Sequence, residues 1–223
     1  MQSSYEKRKE LSNYHFDNTK YDPDVDKMTY LGNIVTNYDG IIKKYINNSK
    51  PITWETRGYK QENVEIPSQD LIEEVLDLEK NGYDKDTVIS NMSWELDSTL
   101  KNIADNFGLE NCMSRVHIQM PGQVWNLHID KLEKFNETDA DKVMRIVIHL
   151  TDWQYGQFWE YGTYHYNRWH AGDVVTFDWK NLPHCTANAG YHPRLTLQLT
   201  GIKTKRTEFF IKKLDVFKEV RAS

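Results

Sequence analysis

The hydrophobic period of the chain changes near residue 110. Before that point, apolar residues recur at helical spacing. Over 69–78, Leu71, Ile72, Val75, Leu76 and Leu78 fall on one stripe, with Ser68 placed to cap the start and Gly82 lying beyond the end. A second stripe of Val88, Ile89, Met92, Leu96, Leu100, Ile103 and Phe107 predicts another helix over about 84–107. Stripes of this kind are core faces, and they predict helices packed on the outside of a sheet. From Cys112 the period becomes two. Residues 115–120 read as a strand ending at the turn signal Pro121-Gly122, and 124–130 follow as its return strand.

Two further strands carry an unusual division of faces. Over 143–150, Arg145, Val147 and His149 share one face while Met144, Ile146, Ile148 and Leu150 share the other. Over 194–200, Arg194, Thr196, Gln198 and Thr200 oppose Leu195, Leu197 and Leu199. A polar inner face predicts a cavity between two sheets, and the leucine face predicts helices on the outside. Shorter strand-like runs at 157–161, 164–169 and 173–179, broken by Gly162 and Ala171-Gly172, complete the pattern of an all-β sandwich or jelly roll. The expected class is therefore mainly β with flanking helices. The segment 131–141 is charged and irregular, as a loop beside a site mouth would be. The tail over 207–220 predicts an amphipathic helix with Phe210, Leu214 and Phe217 on one stripe, covering a sheet edge or, in the sharper alternative, making a dimer contact.

At 223 residues the chain suits one domain, with 1–110 as a mixed helical support, 111–203 as the β core and 204–223 as the terminal helix. A net charge of −5 without a long basic run argues against a general nucleic-acid binder. Mean hydropathy of −0.75, with no bilayer-length apolar run and no apolar signal core near Met1, leads to the expectation of a cytoplasmic protein that does not engage a membrane. A monomer is the expected state. Cys112 and Cys185 are too few for a zinc framework, and Cys185 should face away from its neighbour His184.

That neighbour belongs to the candidate chemistry. His128 and Asp130 lie two apart in a strand-like segment and so project to one face, with Ile129 turned away. Adding His184 gives a two-histidine, one-carboxylate set, which can hold Fe(II) on one side and leave positions open on the other. Asn188-Ala189-Gly190 reads as a turn, and Ala189 is midway between His184 and Arg194, so a hairpin here would set the arginine across from the histidine. A guanidinium in that place suits a dicarboxylate. His192 competes as the distal ligand but precedes Pro193 on the far side of the turn. A second copy of the short pattern, His15-Phe16-Asp17, sits in a polar stretch without strand signals and is read as chance.

With these residues in place, the chain resembles the 2-oxoglutarate and iron(II)-dependent oxygenases, and more narrowly the aspartyl/asparaginyl β-hydroxylase and cis-proline hydroxylase group. The resemblance covers about 112–202 and is carried by Pro121-Gly122, His128-Ile129-Asp130, Arg145, Gly172, Phe177-Asp178, His184, Asn188 and Arg194. It implies a double-stranded β-helix, a jelly-roll and cupin-like fold, with His128, Asp130 and His184 on iron and Arg194 on the distal carboxylate of 2-oxoglutarate. Arg145 falls where the group often has a second co-substrate arginine, and His117 falls where the aspartyl hydroxylases tend to carry a small hydroxyl residue. Asp130 shifts the likeness toward the proline hydroxylases. The implied activity consumes O2 and 2-oxoglutarate, releases succinate and CO2, and hydroxylates a C–H bond of a free amino acid or a peptide side chain. Substrate-facing candidates are Trp125, Trp153, Tyr155, Trp159 and His165. The alternatives are ordinary ones: a non-catalytic or 2-oxoglutarate-independent cupin-like binding module, an Arg145 paired with Asp152 or Asp178, a His149 satisfied within the inner face, and turn roles for Asn188 and Gly172.

Overall fold

The structure, a computed structural model, describes residues 28–56, 69–162 and 164–221. In chain order the elements are β1 (Thr29–Asn33), α1 (Asp39–Asn48), β2 (Lys50–Thr53), α2 (Gln69–Lys80), β3 (Val88–Ser93), α3 (Ser98–Phe107), β4 (Glu110–Gln119), β5 (Val124–His128), β6 (Val143–His149), β7 (Gln157–Tyr161), β8 (Tyr164–Tyr166), β9 (Asp173–Thr176), β10 (His184–Asn188), β11 (Arg194–Ile202) and α4 (Lys205–Arg221). Two short 3-10 turns, Glu133–Phe135 and Ala140–Lys142, sit in the charged loop before β6. Ser68 and the His15-Phe16-Asp17 copy lie outside the described residues.

From β4 onward the chain steps back and forth between two facing antiparallel sheets. The larger has the order β1-β9-β6-β11-β4-β3-β2 and the smaller β5-β10-β7-β8. Such alternation of successive strands between two sheets is a double-stranded β-helix, the architecture that the family resemblance implied and a form of the jelly roll expected from the strand pattern. The faces divide as their sequence parity predicts. Val116, Ile118, Ile146, Ile148, Leu195, Leu197 and Leu199 point outward into an apolar layer shared with Ile41 and Tyr45 of α1, Leu100, Ile103 and Phe107 of α3, and Leu214 of α4. Each buried aliphatic side chain there stabilises the fold by roughly 1.5–3 kcal/mol. Val147, Trp159, Tyr161, Trp169, Val175 and Phe177 fill the inner layer instead.

Three local expectations fail. The stripe over 84–107 is not one helix: Val88–Ser93 form β3, paired on both sides, and α3 begins only at Ser98. Ile89 and Met92 fall on opposite faces of β3 and both are buried, so burial on two faces imitated a helical stripe, whereas Asp97 accepts from the Leu100 amide at 2.9 Å and caps the true start. The turn at Pro121-Gly122 does not make a hairpin, because β4 lies in the large sheet and β5 in the small one. Nor does the chain fold back about Ala189: β10 pairs with β5 and β7, while β11 pairs with β4 and β6. In both places the chain crosses from one sheet to the other. In α2, Val75 is buried but Ile72 and Leu76 are exposed, so that stripe is only partly used among the described side chains.

The two crossings are tied together through Asn188. Its carbonyl accepts from the Gly122 amide at 2.7 Å, its amide donates to Gln123, and its side-chain NH2 donates to the carbonyls of Gln119 and His192. A second tie lies at Gly172, where φ is +90° and a Cβ would stand 2.2 Å from the Ile34 carbonyl oxygen. Only glycine fits such a reversal. Gly172→Ala should lower stability by about 2–3 kcal/mol, read as a lower urea midpoint at unchanged slope.

Candidate metal centre

Strand pairing brings the two histidines together. In the register of β5 with β10, His184 lies directly across from His128, and their rings are 4.2 Å apart between centroids. Asp130 follows just past the end of β5, and strand parity persists that far: Ile129 turns into the core while Asp130 faces the histidines. The His128 Nε2 is 3.7 Å from Asp130 Oδ1, and the His184 Nε2 is 3.9 Å from Oδ2. One ligand atom from each of the three side chains lies within 4.8 Å of the others.

The backbone decides which nitrogen faces inward. His128 Nδ1 is 2.7 Å from the Asn126 carbonyl, and His184 Nδ1 is 3.2 Å from the Leu182 carbonyl. A carbonyl can only accept, so in each neutral ring Nδ1 carries the hydrogen and Nε2 offers its lone pair toward Asp130. Burial pushes the His184 pKa below the usual value despite the nearby carboxylate, which keeps that ring neutral at pH 7. For Asp130, burial works toward protonation, but the positive charge of Arg145, helped by Arg115 and by the two histidines whenever they are protonated, outweighs it and holds the pKa down to about 2. Asp130 Oδ2 is buried without a hydrogen-bond partner. Two imidazole lone pairs and an ionised oxygen thus converge at distances too long for hydrogen bonds, which is the donor set a divalent cation requires. His192 is not part of the cluster; its carbonyl accepts from Gln157 and Asn188 in the crossing. Cys185 faces away, opposite Glu160, and burial pushes its thiol up to about 11.

Above the triad is a small cavity of about 40 Å³, room for a few waters, which opens to solvent. Of the residues expected from sequence, His117, Trp125, Arg145 and Trp159 line it. His117 is buried, its Nε2 has no partner, and burial together with the nearby arginines pushes its pKa well below the usual value. Arg145 Nε lies 3.5 Å from Asp130 Oδ2, so its pairing is with the triad carboxylate rather than with Asp152 or Asp178. Arg115 and Gln198 also line the cavity, though neither was among the expected site residues. Arg115 Nε and Arg145 Nη1 both donate to Gln198 Oε1, each at 3.1 Å. The parity of β4 could have shown Arg115, because it shares a face with His117.

Arg194 stands apart from this cavity. It is 1% exposed, donates from Nη1 to the Phe158 carbonyl at 3.1 Å and from Nη2 to Gln119 Oε1, and lies 4.6 Å from the Trp159 ring centre. Trp159 separates it from the cavity, and burial draws its pKa down to about 9, still a cation at neutral pH. Two residues along the same face, Thr196 Oγ1 is buried without a partner. Trp153, Tyr155 and His165 do not reach the site. Trp153 donates to the Gln157 carbonyl, Tyr155 is 86% exposed, and His165 is 2.5 Å from Glu160 on the outer side of the small sheet. Aromatic content flagged them, but strand parity and loop position turn them away.

No family model and no curated protein matches the chain. Solved structures with some likeness include a prolyl-4-hydroxylase from Pseudomonas putida, at 13% identity over 81% of this chain and 95% of that one, with a TM-score of 0.48. They also include SnoK, a non-heme alpha-ketoglutarate-dependent carbocyclase from nogalamycin biosynthesis, at 12% identity over 83% and 85%, with a TM-score of 0.46. A Cupin 2 conserved barrel domain protein from Salinispora arenicola gives 14% identity over 56% and 84%, with a TM-score of 0.32. At such values the functional reading rests on the chain's own side chains.

Behind the cavity, His149 stacks on Trp169 at 4.6 Å between Trp159 and Tyr166, and both of its ring nitrogens are buried without partners. Burial, with Arg194 nearby, pushes its pKa well below the usual value. The native ring therefore resists a proton that the unfolded chain accepts near pH 6.5, so stability is full above that pH and falls below it. Between pH 6.5 and 5, His149→Phe should lose less stability than the native protein in urea titrations. Equal losses would show that His149 is not buried as the neutral form.

Proposed function

We propose that the chain is an Fe(II)- and 2-oxoglutarate-dependent oxygenase that hydroxylates a C–H bond. The observation that carries this reading is the facing of two Nε2 lone pairs and an ionised Asp130 oxygen that accepts no hydrogen bond on one wall of the cavity. Residues His128, Asp130 and His184 would hold the iron, a set that leaves coordination positions for a keto acid and O2. Bound there, iron supplies the oxidative chemistry, in which 2-oxoglutarate is converted to succinate and CO2 while the substrate gains a hydroxyl group.

The remaining residues bind, orient and exclude. Among the described residues Arg194 is a buried cation whose partners are all neutral: a carbonyl, an amide oxygen and two indole faces. A buried charge held that way gains strongly from an anion, so Arg194 with the Thr196 hydroxyl is the seat for the distal carboxylate, entered as the Trp159 ring turns aside. Arg145 keeps Asp130 ionised from its other side. Val147 and Phe177 close the walls against water, while Trp125 and Trp159 bound the space left for substrate.

Anaerobic titration of the protein with Fe(II) and 2-oxoglutarate should produce a visible charge-transfer band, and His128→Ala or Asp130→Ala should abolish it. A wild-type protein that gives no band is a cupin-like binding module instead. Arg194→Lys should weaken 2-oxoglutarate binding at least tenfold while iron binding persists, because a point charge does not replace the guanidinium fork. Unchanged keto acid affinity would move the carboxylate seat away from Arg194.

A further inference from the structure

Three tyrosines lie in line behind the triad. Tyr161 stands on β7 directly across from His184 in the β10 register, and their rings stack at 6.1 Å between centroids. Tyr166, on β8, follows at 6.5 Å from Tyr161. Tyr30, on β1, packs against the same inner layer, is partly exposed, and donates from its hydroxyl to Asp173 Oδ1 at 2.9 Å. Tyr166 feels that pair: burial raises its pKa most, and the Asp173 charge and Tyr30 add to the rise. The ladder therefore leads from His184 to a tyrosine that meets solvent.

Packing alone does not account for tyrosine at these positions. The hydroxyls of Tyr161 and Tyr166 are buried without a hydrogen-bond partner, and each costs stability that a phenylalanine of the same shape would recover. What a phenol adds to a phenyl ring is the ease with which it gives up an electron. Local charge directs the route. Arg194 lies 4.6 Å from the Trp159 ring centre and 5.9 Å from that of Trp169, and a cation beside an indole disfavours removing an electron from it. An oxidised phenol is a strong acid, so it comes to rest only where its proton has an acceptor. Tyr161 and Tyr166 have none and can only pass an electron along. Tyr30 has the Asp173 carboxylate, which the Asn33 side chain and the His170 amide hold in place.

We propose that Tyr161, Tyr166 and Tyr30 form an electron relay that discharges the metal centre to solvent when oxygen is consumed without substrate. This rests on the oxygenase reading. In such a cycle one atom of O2 ends in succinate and the other must leave as water, which takes two electrons and two protons. In each round Tyr30 gives one electron toward the centre through Tyr166 and Tyr161, and its phenolic proton moves to Asp173. A one-electron reductant in solvent then restores the phenol, with Asp173 returning the proton. Two rounds, with two protons drawn from water at the cavity mouth, release the second oxygen atom as water and return the iron to Fe(II). The aromatic cavity walls, Trp159 and Phe177, are thereby spared oxidation.

The test admits oxygen to the full-length protein carrying Fe(II) and 2-oxoglutarate, without substrate. It reads the paramagnetic resonance of rapidly frozen samples and, by peptide mass mapping, the incorporation of heavy-isotope oxygen. The native protein should give a tyrosyl signal that narrows when the tyrosines are ring-deuterated and that ferrocyanide quenches. Tyr30→Phe and Tyr166→Phe should each lose that signal and carry severalfold more labelled oxygen on Trp159 and Phe177, with ferrocyanide no longer protective. Both variants keep the ring, and Tyr166→Phe removes no hydrogen bond. Their anaerobic charge-transfer band and 2-oxoglutarate affinity should therefore stay native, which a packing defect would not allow. A native-strength signal in either variant overturns the relay. So does a native protein that forms the band yet gives no tyrosyl signal and takes up as much label as Tyr166→Phe. A missing band is the separate failure of the oxygenase reading, and the relay falls with it.

Discussion

The placement of β10 between β5 and β7 is the constraint on which the site depends. Side chains alternate along a strand, so slipping β10 by one residue would turn His184 out of the cavity and Cys185 into it. The register is fixed at the far end of the strand. There the Asn188 backbone bonds to Gly122 and Gln123, its side chain bonds to Gln119 and His192, and the Ala189 amide donates to Gly156. These bonds join the β4–β5 crossing to the β10–β11 crossing. The asparagine therefore anchors the far end of β10 and the crossing into β11, and an irregularity in the β5 pairing between His184 and Thr186 completes the placement of His184 opposite His128.

The polar inner face costs stability that the outer face must offset. Buried guanidiniums and unpartnered hydroxyls lose hydration on folding, and each such group works against the native state. Across the same strands, Leu195, Leu197, Leu199, Ile146 and Ile148 are fully buried beneath α1, α3 and α4. One set of strands thus carries both a site and the apolar layer that holds it rigid. The helices are consequently part of the site's design, since they cover the leucine faces without entering the cavity.

Local periodicity made much of this legible in the sequence. Parity in β6 and β11 assigned the inner and outer residues, and the His128 and Asp130 pair was visible because two residues in extended chain always share a face. Pairing was not legible, for a physical reason: β10 and β11 are adjacent in sequence, yet each finds its partners elsewhere, and nothing in a turn sequence such as Asn188-Ala189-Gly190 distinguishes a hairpin from a crossing between sheets. The conclusion that Arg194 sits near His184 was reached through a hairpin that does not exist. The structure instead places the arginine behind Trp159, facing Gln119. Arg115 carries no motif: strand parity sets it on the face of His117, but its meeting with Gln198 comes only through the β4–β11 register.

His128, Asp130 and His184 belong to the small sheet or follow directly from it, whereas the buried guanidiniums of Arg115, Arg145 and Arg194 stand on strands of the large sheet. The spacing between the sheets therefore sets how far each guanidinium stands from the triad. The apolar layers between and behind the sheets hold that spacing, and so shape the cavity as much as the residues that line it do.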